Sequence, residues 1–312
     1  MAKTKYRKHK GGKSTNSSRS KTFKKMNCNP IVEGKTPVAE SCFTEDVLEK
    51  IKQSYNEQHP TNKITVGAPH LLWHELKSRI QTCDKEDCWL EQIKDATLRK
   101  QIDELSFAPD HPPEWKSNPD EWLSNFDILE VLKQYEEKHK HFKFIGPTPI
   151  DFDTKPPSKK GKCVWQELCT FSLKEQNGLG KTQIGVVFNL DKHNEDGSHW
   201  VSLYIDLNDK FIFFLDSAGD EAPKEVRAFV NRVISQGKEM GISLHFYENA
   251  PFEHQMGNTE CGMYSLFFLI TMLTKKIGKK TYTHSQLIEM FKKKRIPDKY
   301  IFNYRKVYFN SN

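Results

Sequence analysis

Cys261, in the run GNTECGMYS, is the residue of this 312-residue chain best placed for covalent chemistry. It opens a segment that is apolar nearly all round, the pattern of a helix buried inside a domain. A thiol at a helix N-terminus feels the positive end of the macrodipole and unpaired backbone N–H groups. Both favour the thiolate, the form that attacks carbonyl carbon. Glu260 next door opposes this, so an imidazole is needed to take up the thiol proton. His199, in GSHW, can supply it. Asp216, seventeen residues later in FFLDSAG, can fix that ring's tautomer and orientation. Gln255, six residues before the cysteine, offers an amide N–H to the oxyanion formed on attack, with the backbone N–H of Cys261 as a second donor. Taken singly, each residue has a plainer use. A helix-start cysteine packs, a histidine before tryptophan at a strand edge is structural, and Asp-Ser-Ala-Gly makes a turn. Their joint order and spacing carry the chemistry.

The elements that must position these groups can be read from periodicity. Gln183 to Leu190 and His199 to Asp206 read as strands, and Phe211 to Leu215 as a strand buried on both faces. With a turn at Asn208 and Asp209, the last two pair as a hairpin, which brings the end of one beside the start of the other, Asp216 beside His199. Val226, Phe229, Val230, Val233 and Ile234 make a helical stripe ending at Gly237, and Ser243 to Tyr247 is a further strand. This order predicts a mixed α+β domain. Asp120 to Lys138 reads as a helix ahead of it. Upstream, Thr44 caps a helix striped by Val47, Leu48, Ile51 and Tyr55. A second helix follows Pro69, and a third runs through Trp89, Leu90, Ile93 and Leu98. The Pro-rich stretch from Pro109 to Pro119 is the expected junction. The predicted division is a basic disordered tail at 1–36, a helical arm at 37–107 and a catalytic domain at 108–312. Asp206 reads as a turn cap, His245 and His254 as non-catalytic, and Trp165 as a core residue or a lining of the substrate groove.

Composition narrows the class. At 36% hydrophobic, 29% charged and 12% aromatic, the chain is neither collagenous nor wholly disordered. No apolar run reaches the roughly 18–20 residues of a membrane-spanning helix, and the basic start lacks a signal-peptide core; a soluble, intracellular protein is expected. The net charge of +7 hides three blocks: +10 in residues 1–25, +9 in residues 275–312 and −12 between them. Basic ends on an acidic body suggest contact with an anion such as nucleic acid, or serve solubility and localisation. The seven cysteines are expected to be reduced. Cys83 and Cys88 lack a second pair at matching distance, which disfavours zinc; no metal or other cofactor is expected.

His-Trp, then Asp, then Gln and Cys-Gly at these spacings resembles the SUMO and ubiquitin-like-protein protease family, whose clan includes the adenovirus protease. GNTECGMYS is close to that family's Asp-Cys-Gly nucleophile motif, with Glu260 in place of the usual Asp. WLSNFDILEVLKQY is similar to its Trp-Leu-Asn-Asp segment, from which Ser124 and Asn125 depart. The resemblance covers about residues 113–312. It implies a permuted papain-like fold, a catalytic set of His199, Asp216, Gln255 and Cys261, and a slot for a Gly-Gly stretch between Trp122 and Trp200. Two facing indoles would admit a peptide without side chains and reject bulkier ones. The Lys-rich tail and helical arm resemble the polyprotein-processing proteases of large DNA viruses, including that of African swine fever virus. This branch implies an endopeptidase that cuts structural precursors after Gly-Gly-X-like sites during virion maturation, working in the virion and infected-cell cytoplasm. The alternatives are a cytoplasmic or nuclear deconjugating protease, and a catalytically idle nucleic-acid-binding or scaffold protein.

Overall fold

The computed structural model describes residues 22–311. Its centre is a five-stranded mixed sheet in the order β1-β2-β3-β4-β5. The strands are β1 (Phe142–Pro149), β2 (Gln183–Asn189), β3 (Trp200–Asp206), β4 (Phe211–Leu215) and β5 (His245–Glu248). β3 runs antiparallel to both β2 and β4, while β1 and β5 add in parallel at the edges. Alternation sorts the side chains into two cores. Val201, Leu203, Ile205, Ile212 and Phe214 face one side; Tyr204, Phe211, Phe213 and Leu215 face the other.

Four helices precede β1 in the body or the arm: α1 (Glu45–Gln58), α2 (Pro69–Arg79), α3 (Ala96–Ser106) and α4 (Asn125–Lys138). Short helices α5 (Gln166–Cys169) and α6 (Leu173–Gly178) and the long α7 (Lys224–Glu239) cover the first sheet face. The second face is covered by α4, by α8 (Cys261–Thr274) and by the C-terminal α9 (His284–Lys293), α10 (Asp298–Asn303) and α11 (Arg305–Tyr308). A small hairpin, β6 (Lys276–Ile277) with β7 (Lys280–Thr281), follows α8. Residues 261–273 of α8 are all buried, as their unbroken apolarity predicts. The mixed α+β class follows the expected order of elements.

Local chemistry shifts several boundaries. The helix expected from Asp120 starts at Asn125, because Ser124 and Asp127 form a capping box. The third arm helix divides into a tight turn at Asp87–Gln92 and α3, because Asp95 accepts hydrogen bonds from the backbone N–H groups of Thr97 and Leu98 at 2.9 and 3.1 Å and so starts a helix of its own. β1 stands outside the strands expected from periodicity; it lies at the sheet edge, where Pro147 and Pro149 are tolerated.

Two expectations need correction. Residues 1–21 lie outside the described residues, but 22–36, expected to be disordered tail, pack on the arm: Met26 and Val32 are 6% and 7% exposed, and Cys28 bridges to Phe107. Met26 belongs to the arm's apolar core, with Phe23 and Cys28 packed against it. The cysteines expected to be reduced are joined as Cys28–Cys42, Cys83–Cys88 and Cys163–Cys169, with Cα separations of 5.1, 6.4 and 6.3 Å, inside the range a disulfide spans. Cys261 is the free thiol among the described residues. None of the described helices is long and apolar enough to cross a membrane.

Candidate active site

The β3–β4 hairpin sets the first pair. His199 immediately precedes β3 and Asp216 immediately follows β4, and the antiparallel register, Ser202 opposite Leu215, brings the two strand ends together. His199 Nε2 lies 2.7 Å from Asp216 Oδ1. The Asp216 side chain is 2% exposed, and its Oδ1 also accepts the Ala218 backbone N–H at 2.8 Å. Asn249 locks this residue from the other side: its Oδ1 accepts the Asp216 N–H at 2.9 Å and its Nδ2 donates to the Asp216 carbonyl at 2.6 Å. Sequence reasoning missed Asn249, which lies 33 residues away in the chain and carries no motif of its own.

The same imidazole interacts with Cys261, and with Nε2 on Asp216 this leaves Nδ1 to face the thiol. Burial alone would lower the ring's pKa. The hydrogen bonds to Asp216 and Cys261, together with their charges, more than offset that and push it up to about 10. The ring is therefore held as imidazolium at neutral pH, the partner a thiolate requires. Cys261 is the first residue of α8 and is buried. No side chain caps this helix end, so its first N–H groups have no side-chain partner.

Glu260, which looked unfavourable beside the thiol, is neutralised. Arg305 of α11 reaches it with Nε at 3.1 Å and a second nitrogen at 2.7 Å, in a pair buried to 4% exposure on both sides. Arg305 also donates to the Pro119 and Glu121 carbonyls, both at 2.9 Å, and stacks 4.3 Å over Trp115. One guanidinium thus ties the neighbour of Cys261 to the segment that carries Trp122. A buried acid next to the thiol signals that a cation must lie nearby, but 45 residues of sequence separate this pair.

Gln255 is 6% exposed and held at both ends of its amide, accepting from Ser217 Oγ at 2.8 Å and donating to the Gly257 carbonyl at 2.9 Å. Its backbone and that of His254 donate to the Ser217 carbonyl, so the loop before α8 is fastened to the turn after Asp216. Gly219, at φ +85°, permits this closeness: a Cβ there would sit 2.9 Å from the Glu253 nitrogen.

Trp122 and Trp200 line one groove of about 480 Å³ with Trp165, Pro149, Asp191 and Lys192. Trp165 also packs against the first core, as one of its two expected uses requires. The Trp200 Nε1 donates to the Leu123 carbonyl at 3.0 Å. Gly262 lets the helix head approach this wall, since a Cβ on it would lie 3.1 Å from Leu123 Cβ and 3.3 Å from Trp200 Cδ1. Ser124 spends its hydroxyl on the α4 cap rather than on the groove.

The remaining candidates have structural roles. Asp206 Oδ1 accepts the N–H groups of Asn208 and Asp209 in the hairpin turn. His254 is fully buried, with Nε2 donating to the Phe291 carbonyl at 2.7 Å, and burial first of all lowers its pKa. His245 is exposed on β5.

Residues 188–305 match the family model described as "Ulp1 protease family, C-terminal catalytic domain". A protein of Acanthamoeba polyphaga mimivirus named as a thiol protease is 26% identical over 252 residues, spanning 75% of this chain and 80% of the relative. A cysteine protease of African swine fever virus is 26% identical over 293 residues, spanning 83% and 97%. The crystal structure of the African swine fever virus protease superposes with a TM-score of 0.63 at 20% identity, covering 93% of this chain and 98% of that one. At that identity the superposition speaks for the fold.

Proposed function

From a chain whose residues 188–305 match the catalytic domain of the Ulp1 protease family, we propose an endopeptidase that cuts after Gly-containing, Gly-Gly-X-like sites in polyprotein precursors. The observation that carries this reading is the His199 ring, which bonds the Asp216 carboxylate and the Cys261 sulfur at the head of α8, beside a groove walled by Trp122 and Trp200. Cys261 is the nucleophile. His199 takes the thiol proton, and the resulting imidazolium returns a proton to the leaving amine as the thioester forms. The ring then acts as base for the water that releases the acyl group. Asp216 keeps the imidazole in one orientation. Gln255 and the Cys261 backbone N–H donate to the oxyanion. The indoles select glycine by leaving no room for a Cβ.

The catalytic unit in this reading is 108–312, with 37–107 as an arm. In this reading the enzyme works in the virion and the infected-cell cytoplasm, supported by relatives that are viral proteins. On a fluorogenic Gly-Gly-X peptide, Cys261→Ala abolishes turnover, and Gln255→Ala lowers kcat by roughly 10²–10³. Iodoacetamide inactivates the enzyme and a chelator does not. An unchanged rate for Cys261→Ala overturns the proposal.

A second reading is removal of ubiquitin-like proteins from lysines, favoured by one African swine fever virus relative named "SUMO-1 cysteine protease". A ubiquitin-like protein carrying a C-terminal fluorophore separates the two. Release faster than cleavage of the free Gly-Gly-X peptide supports deconjugation, and slower release supports precursor processing.

A further inference from the structure

Residues 1–21 contain eight Lys/Arg and no Asp/Glu. The described chain begins at Thr22, and four residues later Met26 forms part of the wall of a cleft of about 840 Å³ between the arm and α4. Six carboxylates line this cleft: Asp87, Asp103, Glu104, Asp110, Glu130 and Glu137. Lys133 is the single base in the lining, and it is engaged by Glu136 at 2.6 Å. Asp87 and Glu104 each have one lysine, Lys85 at 3.5 Å and Lys100 at 3.7 Å. Asp103, Glu130 and Glu137 have no ion-pair partner among the described residues.

The crowding has a measurable consequence. Burial first, then the charges of Asp110, Asp87 and Glu104, push the Asp103 carboxyl up to about 6. Burial, followed by Asp127, Asp110 and Glu104, also raises Glu130. In both, burial and neighbouring carboxylates favour the protonated form. Leu105, 49% exposed, and the half-buried Leu129 add an apolar strip against which lysine stems can lie.

We propose that the basic segment 1–21 docks in cis into this acidic cleft between α3 and α4. Two considerations favour this occupant over nucleic acid. The segment ends within a few residues of the cleft wall, so reach is not limiting at about 3.3–3.6 Å per extended residue. Tethering gives an effective concentration on the order of millimolar, so even weak contacts hold the segment, whereas non-specific nucleic acid must compete from solution at Kd values of roughly 10⁻⁴–10⁻⁶ M. Docking thus masks the positive charge that composition alone would assign to nucleic-acid binding.

Zero-length carbodiimide crosslinking of the full chain, followed by peptide mapping, tests this. At low salt, lysines of residues 1–21 crosslink to the cleft carboxylates with a yield unchanged by tenfold dilution, and 0.5 M salt suppresses them. In the variant Asp103→Asn/Glu130→Gln/Glu137→Gln, crosslinks to the retained Glu104 and Asp87 fall severalfold, while Gly-Gly peptide cleavage stays at the parental rate. If the triple variant does not fold, Glu130→Gln alone, on the exposed side of α4, gives the same comparison. Crosslinks elsewhere on the body, yields that fall on dilution, or crosslinks that persist in the variant overturn the proposal.

Discussion

At the scale of single residues, the site depends on how His199 is charged. Its pKa, near 6.5 when unfolded, is raised to about 10 by Asp216 and Cys261 against the cost of burial. Because the folded value is the higher one, the stability the ring contributes is complete below about pH 6.5 and is lost as pH rises through about 10. Denaturation midpoints of the parent and of His199→Gln should therefore converge across that window; a constant gap into alkaline pH would contradict the assignment. Ring-proton NMR gives a direct check. Cys261→Ala lowers the His199 pKa by removing the sulfur's share, and Asp216→Asn lowers it further, since the carboxylate's hydrogen bond is the larger of the two favourable causes.

At the scale of elements, α8 must place its first residue against both the hairpin and the tryptophan wall. Gly262→Ala would press a methyl into Leu123 and Trp200; displacing that wall should lower kcat/KM for a Gly-Gly peptide by about tenfold or more with little change in thiol alkylation rate. The other constraint is the buried Glu260–Arg305 pair, which joins α8 to α11. Arg305→Ala leaves a carboxylate uncompensated in the interior and should destabilise the fold by about 3–5 kcal/mol in denaturant titration. Replacing both partners, as Glu260→Leu/Arg305→Met, should cost much less. An equal loss in the double variant would show that contacts to Pro119 and Glu121 matter more than the charge pair.

At the scale of the whole molecule, the two ends of the described chain are clasped together. Asn27 donates its backbone N–H to Asn310 Oδ1 at 2.7 Å, and its amide donates to the Lys306 and Phe309 carbonyls, both at 2.8 Å. Asn310 Nδ2 answers to the Asn27 and Ala108 carbonyls at 3.0 and 2.9 Å. Asn310→Ala orphans these groups and should cost about 1–3 kcal/mol, seen as faster proteolysis within the arm while peptide turnover persists. Much of this protein was legible in its residues. Strand alternation, the stripe of α7 and the apolar run of α8 are local consequences of side-chain period, and β4 falls at its expected bounds. The spacing of His199, Asp216, Gln255 and Cys261 pointed to one chemistry before any contact was known. What lay beyond reach came from distant parts of the chain: Asn249 behind Asp216, Arg305 beside Glu260, and the packing of residues 22–36. A hydrogen bond or ion pair across 33, 45 or 283 residues leaves no period in the sequence. Only chain closure in three dimensions decides which buried polar group meets which, because burial makes an unmet group costly and tertiary packing determines what is near enough to meet it.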